Sequence, residues 1–185
     1  MSATVHWLRK TGCLLEGEFT LSSGETSNRY VDCRKALLNA KALSYITYEL
    51  FEKFKTQLHP DAIICGVPTG GLILASTGGL ILASSLLSRI GGGTAYDTRA
   101  IYLREKEHKH GAKRLIEGEL RDTVYIVDDV ITTGKSVRRV IDILGQERVS
   151  DILTIVDRSE GNHGLNIPVI SLTTLEECFN APIDE

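Results

Sequence analysis

Two rhythms of apolar and polar residues divide the chain. From Lys41 onward, Leu43, Ile46, Leu50 and Phe54 recur every three or four residues, which predicts a helix over Ala42 to Phe54. Short apolar runs predict strands at Ala62 to Cys65, Ala100 to Leu103, Val124 to Val127, Ile152 to Val156 and Val169 to Leu172. A helix-like run follows the first of them, and Ser136 to Leu144 reads as another helix. Alternation of this kind predicts an α/β fold with a mostly parallel central sheet flanked by helices. Met1 to about Arg34 reads differently. A short helical opening (His6, Trp7, Leu8, then Leu14 and Leu15) leads to two extended pieces, Phe19 to Leu21 and Arg29 to Asp32, around the turn-rich Ser22-Ser23-Gly24-Glu25. The expectation is one domain over residues 1–185, with a hood of residues 1–34 on a core of residues 35–185. A length of 185 residues suits one core better than two.

In such sheets ligands sit beyond the carboxyl ends of the strands. Three predicted strand ends lead into Gly66-Val67-Pro68-Thr69-Gly70-Gly71, Asp128-Asp129 and Asp157-Arg158, all polar or glycine-rich. The second is the most telling. Val124-Tyr125-Ile126-Val127 delivers Asp128 and Asp129, Val130 and Ile131 anchor the turn, and Thr132-Thr133-Gly134-Lys135-Ser136 opens the next helix. Glycine permits a tight turn with inward N–H groups, the hydroxyls add donors, and a helix N-terminus favours a dianion. That is a phosphate cradle. The acids beside it repel phosphate, so their partner is a pair of sugar hydroxyls, a Mg²⁺ ion or a developing cation. A lone Asp-Asp pair would read as a helix cap, but here strand, acid pair and Thr-Thr-Gly-x-Ser string occur together. A triphosphate P-loop is excluded, because Asp129 stands where that motif needs its first glycine.

An octapeptide is repeated without error: Thr69 to Ser76 and Thr77 to Ser84 both read TGGLILAS. Eight extra helical residues would turn the following face by roughly 80° beyond two turns. A Gly-Gly pair inside a helix also costs about 2 kcal/mol relative to alanines. One copy is therefore expected at the loop-to-helix junction and the other as a bulge or distorted first turn; the sequence does not choose between them.

Net charge is −3, with 24% charged and 42% hydrophobic residues, which points to neither nucleic acid nor an anionic membrane as a partner. The longest apolar stretch, Gly70 to Leu87, is interrupted by Ser, Thr and two glycine pairs and makes a poor membrane span. Met1 to Lys10 lacks the order of a signal peptide. Cys13, Cys33, Cys65 and Cys178 show no metal spacing and read as free buried thiols of a cytoplasmic protein.

VYIVDDVITTGKSV, residues 124–137, resembles the phosphoribosyl pyrophosphate signature of type I phosphoribosyltransferases. The resemblance implies that Asp128 and Asp129 take the acidic roles at the ribose hydroxyls. It also implies that Val130, Ile131, Thr132, Thr133, Gly134, Lys135 and Ser136 bind phosphoribosyl pyrophosphate, with the loop on the 5-phosphate. Displacement at the anomeric carbon then passes through an oxocarbenium-like state, with Mg²⁺ held mainly by pyrophosphate and not directly by the protein. On that resemblance Asp129→Ala should abolish activity at little cost in stability, the residue being exposed in a cleft.

Three further segments resemble the orotate phosphoribosyltransferases, particularly their short archaeal-like forms. Gly17 to Gly24, with Ser27 and Tyr30-Val31-Asp32, is similar to the segment that hoods the base. Arg104 to Gly118, REKEHKHGAKRLIEG, is similar to the mobile loop that closes over pyrophosphate, commonly from the neighbouring subunit. It implies a homodimer, with Arg104, Lys106 and His110 on phosphoribosyl pyrophosphate and Lys109 catalytic. Arg158, with Thr132, would hold orotate, since a planar carboxylate suits a bidentate guanidinium. The chain departs from the family at Glu105 and His108, where lysines are usual, and in the repeat, where either Gly70-Gly71 or Gly78-Gly79 matches the pyrophosphate loop. The implied reaction converts orotate and phosphoribosyl pyrophosphate to orotidine 5'-monophosphate and pyrophosphate. A purine or xanthine phosphoribosyltransferase would carry a different segment at Phe19 to Asp32. A non-catalytic regulator of the same fold would need a DNA-binding segment or a strongly basic face, and neither is evident.

Overall fold

Consecutive residues of the strand at Val124 bury themselves on opposite sides. Tyr125 and Val127 join one apolar cluster, Val124 and Ile126 the other. A strand apolar on both faces belongs in the middle of a sheet covered on both sides. The computed structural model, which describes residues 2–20, 26–68, 78–92, 97–103 and 115–182, has that arrangement.

The N-terminal part comprises α1 (Ala3–Lys10), the antiparallel pair β1 (Leu14–Thr20) and β2 (Thr26–Val31), and the short α2 (Arg34–Leu37). The core continues with α3 (Ala40–Phe54), β3 (Ile63–Gly66), α4 (Gly78–Gly91), β4 (Arg99–Leu103), β5 (Ile116–Glu117), β6 (Val124–Ile131), α5 (Lys135–Leu144), β7 (Val149–Asp157), β8 (Val169–Thr174) and α6 (Leu175–Asn180). Strand order is β5-β4-β3-β6-β7-β8, parallel except for the β4–β5 edge. One cluster packs Leu8 of α1, Ile46, Leu50 and Phe54 of α3 and Leu82, Leu86 and Ile90 of α4 on the sheet. The other packs Val137, Val140, Ile141 and Leu144 of α5 on the opposite face.

The chain leaves β3 for β4 on one side and leaves β6 for β7 on the other. The crevice at the carboxyl ends of β3 and β6 is therefore the topological switch point, where such folds bind ligands.

Several boundaries differ from the expectation. Leu14 and Leu15 begin β1 and do not extend the opening helix, which stops where Thr11 N–H donates to Trp7 O and Gly12 N–H to Arg9 O. Helix α3 starts two residues early because the Asn39 side chain accepts from the N–H groups of Lys41 and Ala42. Strand β6 runs through both acids to Ile131, since β7 goes on pairing with it: Asp128 lies opposite Thr154 and Ile131 opposite Asp157. Helix α6 is an addition to the expected elements, although Thr174 and Glu177 form a capping box that the residues Thr-x-x-Glu spell out.

The second copy of the repeat opens α4. Both copies offer the same eight residues, so the choice falls to the residues C-terminal to each. Behind the second copy, Leu86 and Ile90 are fully buried. Sliding the chain by eight would bring Gly78 and Leu82 to those two places. Losing one buried leucine costs about 1.5–3 kcal/mol, and Gly78-Gly79 inside the helix adds about 2 kcal/mol. Both effects favour the second copy. The first copy, Thr69 to Ser76, lies outside the described residues, as do Leu21 to Glu25 and Arg104 to Arg114. The four cysteines are free and buried. Among the described residues no helix is long and apolar enough to cross a membrane.

Candidate active site

The two acids turn toward different neighbours, yet their carboxyls still reach each other. Asp128 follows Val124 and Ile126 toward α5, and is only 3% exposed. Its Oδ1 accepts the N–H of Asp129 at 3.0 Å. Burial pushes its carboxyl well above the ordinary carboxylate value, and the neighbouring Asp129 charge adds to the rise. Asp129 follows Tyr125 and Val127 toward α4. It is half-buried and not exposed in a cleft, because the first turn of α4 stands against it. Burial raises its carboxyl too, offset in part by its bond with Asp128 and by the nearby Arg34 charge. Thr154 Oγ1 donates to Asp129 O at 3.1 Å, fixing the main chain between the acids and β7. Arg34 itself is tied to Asp32 through two bonds, Nε to Oδ1 at 2.6 Å and Nη2 to Oδ2 at 2.9 Å.

Beyond Ile131 the chain turns through Thr132, Thr133 and Gly134 into α5. Gly134 has φ +69°, and a Cβ there would stand 3.0 Å from His163 O and from Leu165 Cγ. A left-handed residue pressed against the next loop has to be glycine. No side chain caps the start of α5, so its first N–H groups stay free for an anion. Asp128 and the run Val130 to Val137 line a concavity of about 140 Å³ at this point. Donors gather at one wall and a carboxyl at the other, which suits a phosphorylated sugar.

Arg158 lies at the next strand end, its N–H donating to Ile131 O at 2.8 Å. Asp157 builds the turn beneath it, accepting from Ser159 N and Oγ at 2.8 and 2.6 Å and from Gly161 N at 3.2 Å. The Arg158 guanidinium stacks 5.4 Å from the ring centre of Tyr30, which in turn stacks on Phe19 at 5.3 Å. Its Nε is buried without a partner among the described residues, and burial lowers its affinity for a proton. Here the β1–β2 hairpin meets the core.

The family model described as phosphoribosyl transferase domain matches residues 33–184. The chain belongs to that family. An orotate phosphoribosyltransferase of Methanocaldococcus jannaschii is 33% identical over 184 residues, covering 95% of each sequence. The crystal structure of the orotate phosphoribosyltransferase of Aeropyrum pernix superposes with a TM-score of 0.74 at 30% identity, over 95% of this chain and 96% of that one. The structure of Leishmania donovani UMP synthase gives a TM-score of 0.72 at 25% identity, over 96% of this chain but 37% of its own longer one.

Within this phosphoribosyl transferase fold, the residues singled out on β6 and its loop stand together. Arg158 is a strand away, with Thr132 half-buried on the loop between. Arg104, Lys106, Lys109 and His110 lie outside the described residues. Among the described residues no cluster of three or more His, Cys, Asp or Glu is placed to hold a metal ion. The Asp128–Asp129 pair suits the usual habit of Mg²⁺, which takes one or two carboxylates and fills its shell with water and substrate phosphates. Sequence reasoning missed the Tyr30 stack on Arg158, the Arg34 charge near Asp129 and the contact of Gly78 with Asp129. Tyr30 belongs to the segment that resembles the hood over the base, but only docking of the hairpin brings it to Arg158. A wider groove of about 1030 Å³ is lined, among the described residues, by α3, α4 and Gly92 and by no strand-end residue.

Proposed function

We propose that the protein transfers the 5-phosphoribosyl group of phosphoribosyl pyrophosphate to orotate, giving orotidine 5'-monophosphate and pyrophosphate, a step of pyrimidine biosynthesis. The observation that carries this is the junction of β6 and α5, where a carboxyl pair adjoins an uncapped helix start across a left-handed glycine. Thr132, Thr133, Gly134, Lys135 and Ser136 hold the 5-phosphate through N–H and hydroxyl donors. Asp128 and Asp129 accept from the ribose hydroxyls and favour the positive charge that grows on the sugar ring. Arg158, with Thr132, orients the carboxylate of orotate, and Tyr30 backs the guanidinium. A ring nitrogen of orotate gives up its proton to solvent and forms the new bond to the anomeric carbon while the bond to pyrophosphate breaks, and the electron pair of that bond leaves with pyrophosphate.

Bound Mg²⁺, held mainly by the pyrophosphate beside the Asp128–Asp129 pair, would supply neutralisation of the leaving charge. Arg104, Lys106 and His110 contact the same group, with Lys109 as the catalytic cation, from a loop that acts across a homodimer. Four buried free thiols favour a cytoplasmic location. The direct test is the loss of orotate absorbance in a Mg²⁺ assay. Turnover of a purine base with none of orotate would reject the proposal.

A further inference from the structure

Gly78 occupies a place that no side chain could share with the acid pair as it stands. A Cβ built on it would lie 2.5 Å from Cγ and Oδ2 of Asp129 and 2.8 Å from Oδ1. Gly79 beside it is enclosed by main chain, where a Cβ would meet Val127 O at 2.8 Å and Val67 O at 2.9 Å. The two glycines thus differ in what a methyl group would displace. Val67 N–H already bonds to Val127 O at 2.9 Å, so those main-chain atoms move only if the sheet opens. A carboxylate can simply rotate.

We propose that Gly78 is a positioning residue for Asp129. Having no Cβ, it lets the carboxylate rest against the first turn of α4, where the helix dipole favours a negative charge. With the Asp129 carbonyl held by Thr154, the carboxylate is the movable part, and α4 sets its direction. Among the described residues, Gly78 is the glycine whose Cβ would meet the Asp129 carboxylate.

The kinetic arm of the test rests on the proposed transferase activity; the spectroscopic arm does not. With ¹³C-carboxyl aspartate incorporated, and the Asp129 resonance assigned by its loss in Asp129→Asn, Gly78→Ala should shift that resonance. In the same Gly78→Ala protein kcat should fall between about tenfold and a hundredfold, with KM for orotate unchanged and Tm close to that of the parent. Gly79→Ala should instead lower Tm. An unmoved Asp129 resonance in Gly78→Ala, or a shifted resonance with unaltered kcat, overturns the proposal. Should Gly78→Ala fail to fold, Gly78→Ala/Asp129→Ala decides: recovery of the fold supports the contact, and continued failure refutes it.

Discussion

The loop after β6 and the arginine after β7 lie at neighbouring strand ends, yet they are made in opposite ways. The loop is made of contiguous residues: strand, acids, left-handed Gly134 and helix start come one after another, and each supplies what the next needs. Arg158 is poised by residues remote in sequence. Tyr30 of the hairpin stacks over it and is itself stacked on Phe19, and Asp157 shapes the turn it leaves from. A phosphate grip can be local because backbone N–H groups and a helix terminus do the binding. Recognition of a planar carboxylate needs a guanidinium held in one plane, and that takes packing from outside the strand.

The comparison breaks most sharply on the loop side. Asp129→Ala should lower turnover by on the order of 10²–10³-fold, the usual consequence of removing a group aimed at developing charge. Its Tm should change little, because the lost carboxylate is half-buried and unfavourably placed beside Asp128. Steady-state rates and calorimetry on one preparation check both parts. On the other side, Arg158→Lys keeps the charge but loses the bidentate plane. A charge-assisted hydrogen bond is worth about 1.5–3 kcal/mol, so KM for orotate should rise by about tenfold to a hundredfold while KM for phosphoribosyl pyrophosphate stays near the parent value. An equal rise in both would mean that Arg158 serves the site as a whole.

Tyr30→Leu sharpens the contrast. It removes a cation–π contact worth about 0.5–2 kcal/mol, so KM for orotate should rise about twofold to thirtyfold, again without a matching change for the other substrate. The smallest effect concerns stability. Asp128 binds its proton more tightly in the folded chain than in the unfolded one, so its contribution to stability is present below the ordinary carboxylate pKa and is lost as pH rises through the folded value. Asp128→Asn should flatten the fall of Tm from mildly acidic to neutral buffer and raise Tm at neutral pH, by about 2–4 °C for each kcal/mol recovered. A steeper fall in the variant would contradict the burial argument.

Much of this architecture is legible in the sequence, for reasons visible in particular residues. Leu43, Ile46, Leu50 and Phe54 mark one face of α3, and the apolar runs at Ile63, Val124 and Ile152 mark buried parallel strands. Boundaries are less legible. The length of β6 depends on how far β7 keeps pairing with it, and β5 exists only as an edge laid antiparallel on β4. The different neighbours of Asp128 and Asp129 follow only in part from strand alternation, since their carboxyls still bond to each other.

Residues 124–137 were sufficient by themselves to specify the acid pair, turn and helix start proposed as the sugar-phosphate grip, because a tight turn and a helix start draw their geometry from neighbours a few bonds away. The tertiary structure decided what identical or distant residues do. Two copies of TGGLILAS have the same local energetics, and the second was chosen because Leu86 behind it reaches the core, where the alternative register would put Gly78. Tyr30 became part of the site only when the hairpin folded over Arg158, and Gly78 only when α4 was laid against Asp129. Local chemistry can be read along a chain; a contact between remote segments exists only after burial has paid the entropy of bringing them together.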